Sequence, residues 1–161
     1  MGAGPSRVPG SVLERGDDLA NNRSISMTKK NYRVVTTGLE FPEGPIAMSD
    51  GSIILVEIKR GTLTRVLPSG AQEVVAELGG GPNGIASGPG GKCYVCNNGG
   101  FDWHTDKAGS RPTLQPANYS GGRIEVVDLD TGVVEVLYSE VDGVPLSGPN
   151  DIVFDLSLIH I

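Results

Sequence analysis

The stretch Pro42–Glu57 reads PEGPIAMSDGSIILVE, and its pattern returns forty residues later over Pro82–Asn97, PNGIASGPGGKCYVCN. At that offset Pro42 falls on Pro82, Glu43 on Asn83, Gly44 on Gly84 and Gly51 on Gly91. The runs Ile53–Val56 and Cys93–Cys96 coincide as well. A third copy opens at Pro149-Asn150-Asp151 and runs to Asp155. A period near forty, built of short apolar strands and glycine turns, is the mark of a propeller blade.

Working outward, the first period predicts strands over 46–48, 52–58, 62–67 and 72–78. Turns stand at Glu43-Gly44-Pro45, Asp50-Gly51, Arg60-Gly61 and Ser69-Gly70. Asp-Gly between apolar runs is a strong hairpin signal. The second period predicts strands over 84–87, 92–97, 123–129 and 133–139, interrupted by a polar and aromatic insertion over 98–121. The β-branched stretch Tyr32–Leu39 predicts one more strand, and no segment carries a helical period. The fold class is therefore all-β, a propeller of four-stranded antiparallel blades, represented by about two and a half of them.

The domain reading follows. Residues 1–30 mix Gly, Pro, Ser and charge without periodicity and without the apolar core of a signal peptide, so a disordered extension is expected, with Met27 a plausible start. Residues 31–155 are the partial propeller. Residues 156–161, LSLIHI, stand where a glycine turn should follow Asp155 and read as a non-native tail. Two blades and the start of a third do not close a ring of four to eight. Open strand edges would then favour self-association.

Composition excludes several classes. The net charge of -6 with scattered Lys and Arg leaves no basic patch for nucleic acid or an anionic membrane. No apolar run reaches the roughly eighteen residues that span a bilayer. Nothing argues for secretion, so a cytoplasmic location is expected. The pair Cys93 and Cys96 has CxxC spacing, but residues three apart on a strand point to opposite faces. Two buried thiols acting as small apolar groups are expected.

The position after each Pro carries Glu43, then Asn83, then Asn150. Equivalent positions of blades form a ring about the central channel, and a ring of carboxylate and amide oxygens suits a hard cation such as Ca2+. The competing readings are a charged surface turn for Glu43, an Asx turn for Asn150 and a simple turn for Asn83. Where the second strand ends and the insertion begins, Asn97 and Asn98, and within the insertion the pair Trp103 and His104, are candidates for contact with a small-molecule substrate.

At Glu43-Gly44-Pro45, Pro82-Asn83-Gly84, Asn97–Phe101 and Gly148–Asp151 the chain resembles the SMP-30/gluconolactonase family, the regucalcin-like lactonases. The resemblance runs from about Tyr32 to Asp155 and corresponds to roughly the first half of that fold. It implies a six-bladed propeller with one divalent metal, Ca2+ or Zn2+, on its axis, and hydrolysis of sugar-acid lactones. By the same resemblance Glu43 is a metal ligand, Asn150 belongs to the metal and substrate shell, and Asn83 faces the same channel. The family's later Asn and Asp ligands have no counterpart here, and the chain alone is not expected to be a competent enzyme. The implied chemistry is Lewis-acid activation of a lactone carbonyl and of water. No Gly-x-Ser-x-Gly or Cys–His pairing suggests a covalent nucleophile. Two other readings stay open: a non-enzymatic scaffold propeller, and a strictosidine-synthase-like propeller enzyme.

Overall fold

The computed structural model describes residues 32–155. The expectations for 1–30 and for the tail 156–161 lie outside the described residues. Tyr32 groups apart from the unit that begins at Arg33, and everything below concerns that unit. Among the described residues no helix is long and apolar enough to cross a membrane.

Sheet 1 is a four-stranded antiparallel meander of β1 (Pro42–Ala47), β2 (Ile53–Glu57), β3 (Thr62–Val66) and β4 (Gln72–Glu77), in that order. Sheet 2 uses β5 (Pro82–Ser87), β6 (Lys92–Asn97), β9 (Arg123–Asp128) and β10 (Val134–Tyr138), again in meander order. The period of forty therefore marks two blades, as expected. The core lies between the sheets. Ile54, Val56 and Leu63 of sheet 1 pack with Ile85, Cys93, Val95 and Val127 of sheet 2.

Alternation along β2 and β6 explains this stacking. Ile54 and Val56 face sheet 2, while Leu55 and Glu57 take the opposite face of their strand. In β6 the face toward sheet 1 carries Cys93 and Val95. The other face carries Tyr94, whose ring meets Phe154 of the third repeat edge-on, with centroids 4.8 Å apart. The two thiols diverge as strand geometry requires, and both are free and buried. Burial pushes the Cys93 thiol up to about 12. Burial, with the Asp151 carboxylate as a lesser cause, pushes Cys96 up to about 11.

Three expectations need correction. Glu43-Gly44-Pro45 is not a turn before the strand but a bulge within β1, because the pairing with β2 shifts between Glu43 and Ile46. Tyr32–Leu39 carries no strand assignment. A strand needs a ladder partner, and this segment is held instead by side chains: Gln72 Nε2 donates to Thr36 Oγ1 and to the Thr37 carbonyl, both at 2.8 Å. The insertion is not wholly irregular. It contains a hairpin, β7 (Trp103–Asp106) with β8 (Gly109–Pro112). A second small hairpin, β11 (Glu140–Val141) with β12 (Val144–Pro145), precedes the third repeat.

Candidate functional site

The repeated address becomes a physical one through two glycines. A Cβ placed on Gly44 would lie 3.2 Å from the carbonyl oxygen of Asn83, and one on Gly84 would lie 2.6 Å from that of Asn150. Each repeat thus lets its neighbour's Asn backbone approach through a missing side chain. Gly84 N also donates to the Asn150 carbonyl at 2.7 Å. The segments bearing Glu43, Asn83 and Asn150 stand in sequence on one end of the stack.

Two of the three side chains meet. Asn83 Nδ2 donates to Asn150 Oδ1 at 2.7 Å although sixty-seven residues separate them. Glu43 is exposed on the adjoining β1. Among the described residues no three His, Cys, Asp or Glu side chains cluster as a metal site.

Beside the amide pair opens a cavity of about 330 Å3. Its far wall comes from the insertion, with Phe101, Thr113, Leu114, Gln115 and Tyr119. The Tyr119 hydroxyl donates to the carbonyl oxygen of Ser147, tying the insertion to the segment that ends in Asn150.

The other candidates separate. Asn98 lines the cavity, with Oδ1 accepting from Gly100 N at 2.9 Å. Asn97 lies fully buried beneath it. Its Oδ1 accepts from Gly81 N and Gly99 N, and its Nδ2 donates to the Gly79 carbonyl and to Glu125 Oε2. Trp103 is outside the cavity. Its ring packs on Phe41, centroids 4.9 Å apart, and edge-on against Phe101 at 6.2 Å. His104 is half exposed on the hairpin and pairs with Asp106 at 3.3 Å. The Arg111 hydrogen bond holds the Asp106 carboxyl below the usual carboxylate range, helped by Ala108 N. Lys59 Nζ donates to Ser110 Oγ at 2.8 Å, so the hairpin is fastened to sheet 1.

The model of the SMP-30/Gluconolactonase/LRE-like region matches residues 41–157. The chain belongs to this family. A solved structure of a candidate gluconolactonase is 18% identical, with a TM-score of 0.54 over 76% of this chain and 35% of its own. The PQQ-bound aldose sugar dehydrogenase of Streptomyces coelicolor is 19% identical, with a TM-score of 0.42 over 74% of this chain and 30% of its own. The chain thus spans about a third of the length of each. At 18% identity the first likeness speaks to fold alone. No curated protein matches the chain.

In this SMP-30/gluconolactonase region, sequence reasoning reached the amide pair and Asn98 but missed Thr113, Gln115, Tyr119 and Ser147. Tyr119, an aromatic within a polar stretch, was the available signal. Gln115 offered none.

Proposed function

We propose that this region supplies part of a divalent-metal and lactone site in a gluconolactonase-type hydrolase. The observation that carries the reading is the Asn83–Asn150 amide pair, two consecutive repeats converging to 2.7 Å at the address that begins with Glu43. The donor chemistry fits a hard cation: carboxylate and carboxamide oxygens suit Ca2+ better than Zn2+, which favours nitrogen and sulfur. Glu43 would supply the charge, and Asn83 and Asn150 neutral oxygens. Rotation of the Asn150 amide about its own axis exchanges its oxygen and nitrogen and frees Oδ1 from Asn83. Such a cation, when bound, supplies the positive charge that polarises a lactone carbonyl.

The chain's own residues do the rest of what is proposed. Asn83 and Asn150 orient the reacting end of the lactone, and the insertion wall shields it from bulk water. Membership of the family supports a lactone substrate, and the hard-oxygen donor set supports metal dependence. These features favour an enzyme over a scaffold.

Three protein oxygens are few against the six to eight that Ca2+ takes, so binding by this chain is expected to be weak. The test is a Ca2+ titration followed by the side-chain amide resonances of the chain. Asn83 and Asn150 signals should move together, and Glu43→Gln should weaken the response several-fold. Amide signals that stay fixed through tens of millimolar Ca2+ would sink the metal reading. So would gluconolactone hydrolysis indifferent to chelator.

A further inference from the structure

The insertion is fastened at two places. Its hairpin sits on sheet 1 through Trp103 on Phe41 and Lys59 on Ser110, and its distal arm is held by Tyr119 on the Ser147 carbonyl. The Tyr119 ring fills the space where a Cβ on Gly99 would stand, so this fastening includes packing as well as a hydrogen bond. Between the anchors, Thr113–Gln115 passes along the cavity wall.

The polar groups on that wall divide into engaged and free. Thr113 Oγ1 donates to the Asp102 carbonyl at 3.0 Å. Asn98 Oδ1 holds Gly100 N. The Gln115 carboxamide makes no hydrogen bond among the described residues, although it lines the same cavity as Asn83 and Asn150. It offers one acceptor and two donor hydrogens to whatever lies there. Phe101, Leu114 and Tyr119 supply apolar surface around it. A free carboxamide beside aromatic and aliphatic faces matches a ring that has apolar C–H faces and a hydroxylated rim.

We propose that Gln115 is a specificity-determining residue, recognising hydroxyl groups of a polyhydroxylated six-membered ring held in this cavity. The proposal rests on the reading of the Asn83–Asn150 pair as the reacting end of the site. It assigns hydroxyl recognition to the arm between the anchors and not to Trp103 or His104. The strap that carries Gln115 is held at both ends, so its backbone is placed before ligand arrives and ordering on binding is confined to the exposed Gln115 side chain.

The test uses two non-hydrolysable ring probes with the whole chain. One is 1,5-anhydroglucitol, a lactone-sized cyclic polyol, and the other is tetrahydropyran, the same ring stripped of hydroxyls. Binding is followed by chemical-shift titration on the wild type, Gln115→Ala and His104→Ala. The polyol should bind measurably and tetrahydropyran at least several-fold more weakly. Gln115→Ala should weaken polyol binding by roughly fivefold, the effect of one neutral hydrogen bond, and His104→Ala should leave it unchanged. No polyol binding, equal binding of both probes, or an unchanged Gln115→Ala overturns the proposal. So does a loss in His104→Ala as large as that in Gln115→Ala. If Gln115→Ala behaves as stated while the Ca2+ titration fails, polyol recognition stands and the metal-dependent lactonase reading falls. If chelator-sensitive lactone hydrolysis is found and Gln115→Ala binds polyol like the wild type, that reading stands and this one falls.

Discussion

Glu57 and Asn97, forty residues apart, end the second strand of successive sheets, and both are fully buried. Each grips the segment that enters its own sheet. Glu57 Oε2 accepts from Glu40 N at 2.6 Å, and Asn97 Oδ1 accepts from Gly81 N at 2.9 Å. An arginine assists in both cases. Arg60 pairs with Glu57 and donates to the Gly38 carbonyl, while Arg123 pairs with Glu125 and donates to the Leu78 carbonyl. The same clamp is built once around a carboxylate and once around an amide.

Glu57→Ala should therefore destabilise the chain by about 3 kcal/mol, since it removes at once the acceptor of Glu40 N, the buried acceptor of Thr64 Oγ1 and the ion-pair partner of Arg60. Asn97→Ala should cost a comparable amount by the same logic. Urea unfolding followed by circular dichroism checks both. A loss under 1 kcal/mol in either would show that the clamp is incidental.

Gly84→Ala should disturb the amide pair and Gly44→Ala should not. A methyl on Gly84 meets backbone of the third repeat at 2.6 Å, at both Asn150 O and Asp151 Cα, so that segment must move. On Gly44 the nearest atoms are at 3.1 Å, and the cost lies mainly in its left-handed backbone, φ +58°, about 1–2 kcal/mol. In Gly84→Ala the Asn150 amide resonances should shift strongly. In Gly44→Ala they should stay near wild type while stability drops.

The thiols give a pH dependence with a definite sign. Cys93 and Cys96 ionise near 9.0 when unfolded but only near 12 and 11 in the fold. Above pH 9 the unfolded chain loses protons that the folded chain keeps, so stability falls with rising pH over that window. Below pH 9 both states hold the protons and the contribution is intact. Thiol labelling at pH 8 should be slow in the native protein and complete in denaturant. Rapid labelling of either native thiol would contradict the burial.

Trp103 is the only tryptophan of the chain, so its fluorescence reports on the hairpin. Phe41→Ala removes the ring beneath it and should shift emission to the red, with faster proteolysis within 103–112. His104→Ala should leave emission and proteolysis as they were, because the half-exposed His104 side chain pairs with the exposed Asp106 on the hairpin surface.

Much of this was legible from the repeat. The bounds of β6, Lys92–Asn97, coincide with expectation because an apolar run is closed by glycines on one side and Asn-Asn-Gly-Gly on the other. Asn83 and Asn150 could be paired because each follows the proline that opens its repeat, although the insertion stretches the forty-residue period to sixty-seven between them. Hydrogen-bonding partners were not legible. Tyr32–Leu39 has strand composition, but pairing depends on what lies beside it. The β7–β8 hairpin is polar and largely exposed, so no alternation betrayed it. Asn97 looked like a binding residue because burial beneath a loop leaves no mark on residue type.

The insertion has a further consequence for how this architecture can change. It joins β6 to β9 across residues 98–122, yet the ladder from Lys92↔Asp128 to Asn97↔Arg123 runs without a register shift. In sheet 1 the equivalent connection, residues 58–61, closes the same kind of ladder. Loop-closure entropy grows only with the logarithm of length, so the longer connection costs about 1.6 kcal/mol more. Much of that is offset where the insertion docks on Phe41 and Ser147. A wall of the cavity can thus be lengthened, shortened or exchanged without retuning the strands that carry it. The cavity wall and the strand ladder are written in separate parts of the chain.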